Sequence, residues 1–321
     1  MIASVIIPVK NGGELFKKVL ESILEQNFED FEVIIIDSGS KDGSVEYVKY
    51  LQINYKNLIL KQISSKEFGH GKTRNYGASL SSGEFLVFIT QDALPYDNNW
   101  LFEMIKPFKQ NQDVVGVFAR HLPYDECDIF EKENLKRHFE NFGLGVVLYK
   151  IEDNKRYRID DGYRHLLCFY SDNASAMRKS IWQKIPYDDV DFAEDQLWAK
   201  KIIELGYIKA YNSNAIVYHS HNYGFKERLK RSYDDHKGLY KIYRYVPVKS
   251  IFLLPFHILK AIYNDLLFLK IQDIPLLEKL KWFSFSIGKN IAKYTGAYFG
   301  TKGFGNFFDA LLSREHILRN R

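Results

Sequence analysis

Short apolar runs alternate with helical patterns through the first 120 residues. Runs rich in β-branched and aromatic residues predict strands over 4–9, 31–36, 58–63, 84–90 and 114–119. Apolar residues that recur every three or four positions predict helices over 13–26, 45–51 and 73–80. The uninterrupted apolar run over 31–36 is typical of a strand buried on both faces. This order predicts an α/β fold, with a Rossmann-like, mostly parallel central sheet flanked by helices.

The pattern changes beyond residue 120. Residues 121–165 mix polar and aromatic positions, whereas 195–206 regains helical spacing and precedes a short predicted strand over 215–218. Beyond 225 the strand signal disappears. Helices rich in Lys and in aromatic residues are predicted there, over 226–245, 250–270 and 276–298. We therefore expect an α/β domain over 1–225 and a helical C-terminal extension over 226–321.

Composition narrows the class of protein. The chain has 321 residues, of which 46% are hydrophobic, so a large folded core is expected. The net charge of +5 suits an anionic ligand or membrane and does not require nucleic acid. Two cysteines, Cys127 and Cys168, are too few for a disulfide framework and indicate reduced thiols in a cytoplasmic protein.

No membrane-targeting segment is predicted. The N-terminus runs straight into a strand without a basic region, so we expect no signal peptide. The most apolar long segment, 251–270, is interrupted by His257, Lys260, Asn264 and Asp265, so no spanning helix is predicted.

Polar residues follow the first two predicted strands. Pro8 and Asn11 close the first, and Asp37 follows the second in the sequence Asp37-Ser38-Gly39-Ser40. A carboxylate at a strand end can accept the imide N–H of uracil or thymine, and the glycine-containing loop lets the backbone approach a ligand closely. A plain turn with a helix cap explains Asp37 taken alone. Its position after the second strand favours nucleotide binding.

A basic cluster precedes the third predicted helix. His70 lies between two glycines, and Lys72, Arg74 and Asn75 follow it. A loop that feeds a helix N-terminus is a natural anion site, and Lys72 or Arg74 can pair with a diphosphate. The competing interpretation is a solvent-exposed basic loop.

Gln91 and Asp92 follow the fourth predicted strand. Asp92 is a candidate ligand for Mg²⁺ or Mn²⁺, which would offset the charge that develops on a departing diphosphate. His219 and His221 follow the last predicted strand. Because alternate residues of a strand point to opposite sides, at most one of them is expected to face the cation, and we favour His219.

Glu194 and Asp195 stand at the start of a predicted helix. A transfer that inverts the configuration at an anomeric carbon needs one base to take the proton of the attacking acceptor hydroxyl. A carboxylate at the open edge of the sheet can be that base. We assign Asp195 as the base and Glu194 as its support or as an acceptor-orienting group. Favourable placement of acids at a helix N-terminus is the competing interpretation.

Four segments, taken in order, together resemble glycosyltransferase family 2: 4–11, 36–44, Asp92 and Glu194-Asp195. The resemblance covers roughly 1–225 and implies the GT-A fold, with a nucleotide-sugar half over 1–120 and an acceptor half over 121–225. Residues 68–75 and 90–95 are similar to bacterial rhamnosyltransferases, which use dTDP-L-rhamnose to build O-antigen, lipopolysaccharide or other surface polysaccharides. Thr90 stands where many relatives have the first acid of Asp-x-Asp.

The resemblance implies that Asp37 contacts the nucleotide base, that Asp92 binds the metal and that Asp195 is the catalytic base. Together with the residues singled out above, it gives the following expected site. Asp195 and Glu194 are catalytic, and Asp92 and His219 bind a divalent cation, Mg²⁺ or Mn²⁺. The nucleotide sugar contacts Pro8, Asn11, Asp37, Ser38, Gly39, Ser40, His70, Lys72, Arg74, Asn75, Gln91 and Asp92. The acceptor is a saccharide, expected to be lipid-linked.

Three alternatives stay open. The donor can be a UDP-hexose instead of dTDP-rhamnose, or the chain can be a non-catalytic subunit that binds nucleotide sugars in a polysaccharide assembly complex. A nucleotidyltransferase is a poorer match, because 10–13 lacks the basic glycine-rich loop that it needs. The C-terminal helices are expected either to lie on the inner face of the cytoplasmic membrane, with Lys279, Lys281 and Lys289 at headgroups, or to cap the domain or form an oligomer interface.

Overall fold

The computed structural model of the protein describes residues 1–190, 192–302 and 306–313. Within these ranges the strands are β1 (Ala3–Val9), β2 (Phe31–Asp37), β3 (Leu58–Gln62), β4 (Phe85–Ile89), β5 (Leu94–Pro95), β6 (Val114–Leu122), β7 (Val146–Tyr149), β8 (Ala174–Arg178) and β9 (Ile208–Tyr218). The helices are α1 (Gly13–Leu24), α2 (Ser44–Leu51), α3 (His70–Leu80), α4 (Trp100–Gln110), α5 (Ile129–Glu140), α6 (Asn154–Ile159), α7 (Asp161–Cys168), α8 (Lys179–Trp182), α9 (Glu194–Glu204), α10 (Phe225–Tyr243), α11 (Leu254–Ile271), α12 (Leu276–Lys302) and α13 (Asn306–Leu312).

The strands form one sheet in the order β3-β2-β1-β4-β8-β6-β9-β5, with β7 paired to β9. β1 to β4 run parallel to one another, as the alternating sequence pattern predicts. β8 then lies antiparallel between β4 and β6, and β5 and β7 are antiparallel to β9. The sheet is therefore mixed, with a parallel half built by the first 89 residues and antiparallel pairings in the later half.

Helices bury apolar stripes against this sheet. In α1 the buried residues are Phe16, Val19, Leu20 and Ile23, the three-and-four spacing from which the helix was predicted. Each such side chain contributes about 1.5–3 kcal/mol when it is fully removed from water. β2 is buried along all seven of its residues, as expected for a strand covered on both faces.

β9 is longer than the sequence predicts. It spans 11 residues. Its first half was not predicted because the polar side chains there, which are buried and hydrogen-bonded, do not form an apolar run. Asn212 donates to the Glu103 carbonyl at 2.8 Å, and the Ser213 hydroxyl accepts from the Gly145 N–H at 2.7 Å. Helix α3 likewise begins at His70, three residues before the predicted start.

The described chain divides into two compact units. The first consists of Met1–Val190 and Glu194–His221, and the second contains the residues from Asn222 onward together with the short segment before Glu194. The first unit holds the whole sheet. The predicted boundary at 225 and the functional division at 120 stay predictions.

In the second unit, α10 and α12 pack backbone to backbone. A Cβ on Gly296 would lie 2.4 Å from the Leu229 carbonyl oxygen, so a side chain there would force the two helices apart. The Ser232 hydroxyl donates to the Lys293 carbonyl at 2.6 Å. Asp265 of α11 accepts from Asn290 of α12 at 2.6 Å and pairs with Lys289 at 2.8 Å. Lys289 is thus buried and paired, which corrects the expectation that it meets lipid headgroups.

The segment Ile251–Ile271 corrects a second expectation. It has 21 residues and a mean hydropathy of 1.4, and Leu269 is its one buried residue, so it is long and apolar enough to cross a membrane by length and composition. Charged residues interrupt the segment, but a membrane-spanning helix can contain a few charged residues. At 1.5 Å per residue it measures about 32 Å, comparable to a hydrocarbon core of about 30 Å.

Candidate active site

The loops after β1 and β2 are joined by reciprocal hydrogen bonds. The Asn11 N–H donates to the Ser40 hydroxyl at 2.8 Å, and the Lys41 N–H donates to the Asn11 side chain at 2.8 Å. The Ser38 N–H and hydroxyl both donate to the Val9 carbonyl. Pro8 is partly exposed at the end of β1. These contacts bring Pro8, Asn11 and Ser40 to one edge of the sheet, as predicted from their position at strand ends.

Asp37 ends β2 and is almost fully buried, with 1% exposure. Its carboxylate accepts from the N–H groups of Gly39 at 3.0 Å and Ser40 at 3.2 Å. Gly39 has φ of +92°, a backbone conformation that favours glycine. Asp37 therefore fixes the shape of its own loop. A carboxylate has about four acceptor positions, so these bonds leave capacity for a ligand N–H.

Gln91 connects the ends of β4 and β1. Its Oε1 accepts from the Lys10 N–H at 2.7 Å, and its Nε2 donates to the Lys10 carbonyl at 3.3 Å. Gln91 therefore joins the two loops, and because its amide keeps a second N–H and a second acceptor position, its contact with a nucleotide stays a prediction. The neighbouring Thr90 hydroxyl is buried without a hydrogen-bond partner among the described residues.

Asp92 lies beside two histidines. The distance from Asp92 Oδ1 to His219 Nε2 is 3.7 Å, and that from Asp92 Oδ2 to His221 Nε2 is 3.7 Å. One potential ligand atom from each of the three residues lies within 4.8 Å of the others. One carboxylate and two imidazoles can bind a borderline divalent cation, and the remaining coordination positions would stay available for other ligands.

The expectation that only one of the two histidines faces Asp92 is wrong. It assumed that strand alternation continues through 219–221, but β9 ends at Tyr218 and the following residues are not in a strand. The two imidazoles meet edge to face at 4.7 Å between ring centroids. His221, which sequence reasoning set aside, thus joins His219 in the cluster.

Neighbouring side chains contact Asp92 and His219 and fix their positions. Asn173 Nδ2 lies 3.3 Å from His219 Nδ1, and the Tyr124 hydroxyl donates to the Asp92 carbonyl at 3.0 Å. His121 packs against His219 with 5.6 Å between ring centroids. Burial lowers the pKa of His121 well below its ordinary value, and the neighbouring His219 lowers it further. His121 is therefore neutral at physiological pH.

Of the four predicted residues of α3, His70 and Lys72 differ in their surroundings from Asn75 and Arg74. His70 is half-buried and meets the Phe68 ring edge to face at 5.2 Å, and Lys72 is exposed at the start of the helix. Asn75 is not free for a ligand, because its side chain donates to the Tyr187 carbonyl at 2.8 Å and accepts from Trp182 Nε1 at 2.8 Å. Its predicted role in nucleotide binding is corrected to a structural one.

Arg74 is also placed differently from the prediction. Its guanidinium is buried, with Nη1 at 2.6 Å from Glu194 and Nε at 3.3 Å from Asp172. A residue enclosed by two carboxylates is not available to a diphosphate. The sequence pattern could not reveal this placement of Arg74, because its partner Glu194 is 120 positions away in the chain. The same pair explains why Glu194 is buried, at 5% exposure.

Asp195, in contrast, is partly exposed at the start of α9. Its Oδ2 accepts from the Asp172 N–H at 3.1 Å, and its Oδ1 accepts from the Gln196 N–H at 2.7 Å. Burial of its surroundings raises the pKa of Asp195 well above the ordinary value, and the charges of Glu194 and Asp172 raise it further. A raised pKa makes this carboxylate a stronger proton acceptor than a solvated aspartate.

Sequence reasoning missed Asp172. The signal was an acid between two polar residues, Ser171-Asp172-Asn173, set between apolar positions. The Asp172 side chain accepts from the hydroxyls of Ser175 at 2.6 Å and Tyr187 at 2.8 Å, at 1% exposure. Burial raises the pKa of Asp172, while Arg74 opposes that shift.

The sheet carries polar residues at the ends of its strands, which is where open α/β sheets bind their ligands. Residues 4–185, more than half of the chain, match the sequence model of the glycosyl transferase family 2. The protein belongs to glycosyltransferase family 2.

Its curated relatives include two enzymes of Salmonella. The O-antigen chain rhamnosyltransferase RfbN of Salmonella typhimurium is 32% identical over 237 residues, which cover 73% of this chain and 71% of that protein. The O-antigen chain rhamnosyltransferase WbaN of Salmonella anatum is 31% identical over 238 residues, covering 72% and 70%.

Solved structures with the same fold include TarS 1–349 of S. aureus, with a TM-score of 0.56 at 15% identity, covering 93% of this chain and 91% of that one. The mannosyltransferase PcManGT of Pyrobaculum calidifontis, in complex with GDP-Man and Mn²⁺, has a TM-score of 0.55 at 16% identity, covering 99% and 83%. These similarities show the fold alone and confirm the predicted GT-A architecture.

Proposed function

We propose that the protein transfers L-rhamnose from dTDP-L-rhamnose to a growing cell-surface polysaccharide, with inversion at the anomeric carbon. The observation that carries this proposal is the placement of Asp37 at the end of β2, Asp92 just after β4 and Asp195 at the start of α9, where it is hydrogen-bonded to the loop before β8, each with a different environment. The two rhamnosyltransferase relatives favour the donor.

Asp37 and the loops joined to it would hold the nucleoside. The loop N–H bonds orient the Asp37 carboxylate, and its remaining acceptor capacity suits the single imide N–H of thymine or uracil. Adenine, cytosine and guanine present amino groups or a different donor pattern there. Lys72, exposed at the start of α3, is the cation of the predicted set that remains free to approach a diphosphate.

Asp92, His219 and His221 would hold the divalent cation. When bound, such an ion stabilises negative charge on the leaving diphosphate as a Lewis acid. Mg²⁺ prefers an all-oxygen octahedron, whereas Mn²⁺ also accepts imidazole nitrogen, so the donor set favours Mn²⁺. The mannosyltransferase neighbour is described with Mn²⁺ and a nucleotide sugar, which supports the same assignment.

Asp195 would take the proton of the acceptor hydroxyl as that hydroxyl attacks the anomeric carbon from the face opposite the departing diphosphate. Its two N–H bonds fix the carboxylate, and its partial exposure leaves room for an acceptor. Glu194, buried against Arg74, acts on Asp195 through charge instead of touching the acceptor.

A UDP-hexose is the second candidate donor, because thymine and uracil present the same imide group to Asp37 and a structural neighbour, TarS, is described in complex with UDP-GlcNAc. Transfer assays with dTDP-rhamnose, UDP-glucose and UDP-GlcNAc, each with Mn²⁺ and a lipid-linked diphosphate oligosaccharide acceptor, separate the two. We expect dTDP release and a product with inverted anomeric configuration by NMR. Release of UDP alone would replace the donor, and no product with any donor would favour the non-catalytic alternative.

The acceptor would be reached at the inner face of the cytoplasmic membrane. The exposed apolar side chains of α11 include Phe256, Leu259 and Tyr263, which follow one another at helical spacing, and Lys260 and Lys270 are exposed beside them. An apolar stripe with flanking lysines matches an anionic lipid surface in both hydrophobicity and charge. This stripe is the proposed peripheral membrane contact.

A further inference from the structure

We propose that Arg74 and Asp172 are positioning residues, which hold the Asp195 carboxylate and set the pH range in which it accepts a proton. This inference rests on the proposed function, in which Asp195 is the base. Neither residue is the base itself. Sequence reasoning assigned Arg74 to the diphosphate and did not single out Asp172.

The first observation is a buried charge cluster. Arg74, Asp172 and Glu194 are 5%, 1% and 5% exposed, and the guanidinium contacts both carboxylates at 3.3 and 2.6 Å. Taking charges out of water is costly unless they are paired, and these three side chains pair with one another as one unit. With Asp195 included, the cluster holds three carboxylates against a single cation.

The second observation is the direct link from this unit to Asp195. The Asp172 N–H donates to Asp195 Oδ2 at 3.1 Å, and Glu194 is its neighbour in the chain. The Asp172 side chain is itself fixed by the Ser175 and Tyr187 hydroxyls. The Asp195 carboxylate is therefore oriented through Asp172, while its own outer side stays partly exposed.

The charges around Asp195 act in opposite directions. Asp172 and Glu194 make its ionised form less favourable, whereas Arg74 of α3 makes it more favourable. The buried phenols of Tyr170 and Tyr187 also lie near this cluster, and burial raises the pKa of both, so both are neutral. Arg74 thus offsets part of the effect of the two adjacent acids on the pKa of Asp195, which stays raised.

Substitutions of opposite effect test this proposal. Asp172→Asn keeps the backbone N–H that bonds Asp195 and an oxygen for the Ser175 and Tyr187 hydroxyls, so it removes charge with little change in shape. We expect the acid limb of the kcat/KM profile to move down by about one pH unit. Arg74→Met should move the same limb up by about one unit or more, and Arg74→Lys should restore most of the shift.

The controls separate a positioning effect from general damage. Arg178→Lys alters another partly buried arginine, which bonds Glu84 and the Val114 carbonyl, and should leave the acid limb where it is in the wild type. Binding of dTDP with Mn²⁺, followed by calorimetry, should be unchanged in Asp172→Asn. If Arg74→Met does not fold, Asp172→Asn and Arg74→Lys still decide the matter.

The outcomes also distinguish this inference from the proposed function. Asp195→Asn should bind dTDP and lose transfer by about 10²–10⁴-fold. If Asp195→Asn keeps near-normal turnover, the assignment of the base is wrong. If Asp195→Asn is inactive but the acid limb of Asp172→Asn and Arg74→Lys stays at the wild-type pH, only the positioning role of Arg74 and Asp172 is overturned.

Discussion

Asn173 Nδ2 lies 3.3 Å from His219 Nδ1, while the N–H of the preceding residue, Asp172, donates to Asp195. Two consecutive residues therefore connect the proposed cation site to the proposed base. A neutral imidazole can offer its Nε2 lone pair to a metal only if Nδ1 carries the proton. Metal binding by His219 thus requires Asn173 to present its amide oxygen as the acceptor.

This relationship predicts that Asn173 supports metal affinity. Asn173→Ala should raise the Mn²⁺ concentration needed for half-maximal activity by about 10–100-fold, because His219 loses the group that fixes its tautomer. Asn173→Asp supplies a stronger acceptor and should keep or improve Mn²⁺ affinity. The check is a Mn²⁺ titration of transfer activity or of direct binding. Equal affinities for wild type and Asn173→Ala would contradict the tautomer argument.

A second prediction concerns the choice of cation. Two imidazoles beside one carboxylate should make Mn²⁺ effective at concentrations at least about tenfold lower than Mg²⁺. His221→Asp exchanges a nitrogen ligand for oxygen and should narrow this difference, whereas Asp92→Asn should abolish activation by either ion. Activity measured against both ions in the three proteins provides the comparison. An unchanged Mn²⁺ to Mg²⁺ ratio in His221→Asp would remove His221 from the site.

A third prediction uses the buried lysine of β9. Lys209 Nζ donates to the carbonyl groups of Leu166 and Phe169 and lies 5.0 Å from the centroid of the Phe118 ring. Burial lowers the pKa of Lys209 from 10.5 to about 7. The unfolded chain therefore binds more protons than the folded chain between these values, and the stability of the protein should rise with pH across that window.

The expected slope is about 1.4 kcal/mol of unfolding free energy per pH unit between pH 7.5 and 9.5, before other groups contribute. Denaturant unfolding at several pH values measures it. Lys209→Met removes the titrating group and should flatten the slope, even if loss of the bonds to two carbonyls lowers stability overall. A slope that persists in Lys209→Met would show that another group causes it.

A fourth prediction tests the proposed membrane contact. Phe256→Gln combined with Leu259→Gln removes two exposed apolar side chains from α11. Loss of their burial in lipid should weaken binding to phosphatidylglycerol vesicles by about tenfold or more. Leu144→Gln combined with Leu205→Gln changes two leucines of the sheet-containing unit that are at least about as exposed, and serves as the matched control. Cosedimentation with anionic and neutral vesicles provides the measurement.

If both double variants sediment like the wild type, α11 is not the membrane contact. If the wild-type protein binds neither kind of vesicle, the peripheral membrane proposal fails as a whole. Binding to anionic vesicles that is lost in high salt but kept in Phe256→Gln/Leu259→Gln would assign the contact to lysines alone.

The sequence predicted the parallel half of the fold well, because apolar period and element length agree there. Each of the strands β1 to β4 and the helix α1 falls within a few residues of its expected position. The extended β9 was missed in its first half because buried Asn212 and Ser213 obtain their hydrogen bonds from distant residues. No local pattern carries that information.

In the candidate site, too, local sequence patterns could be recognised, whereas contacts between distant residues could not. Asp37, Asp92 and Asp195 could be found because each follows a strand or begins a helix. The burial of Arg74 could not be found, since its partners Asp172 and Glu194 are about a hundred residues away and only the folded sheet brings them together. His221 was set aside because strand alternation was extended past Tyr218, where β9 ends.

The most direct test of the account is nucleotide-dependent thermal stabilisation of the wild-type protein and Asp92→Asn, with and without Mn²⁺. The nucleotides are dTDP, UDP, GDP, CDP and ADP. We expect dTDP to raise the melting temperature most, UDP to follow, and both effects to require Mn²⁺ and to disappear in Asp92→Asn. Stabilisation by GDP or ADP above dTDP, or an equal response of Asp92→Asn, would contradict the proposed nucleotide and cation site.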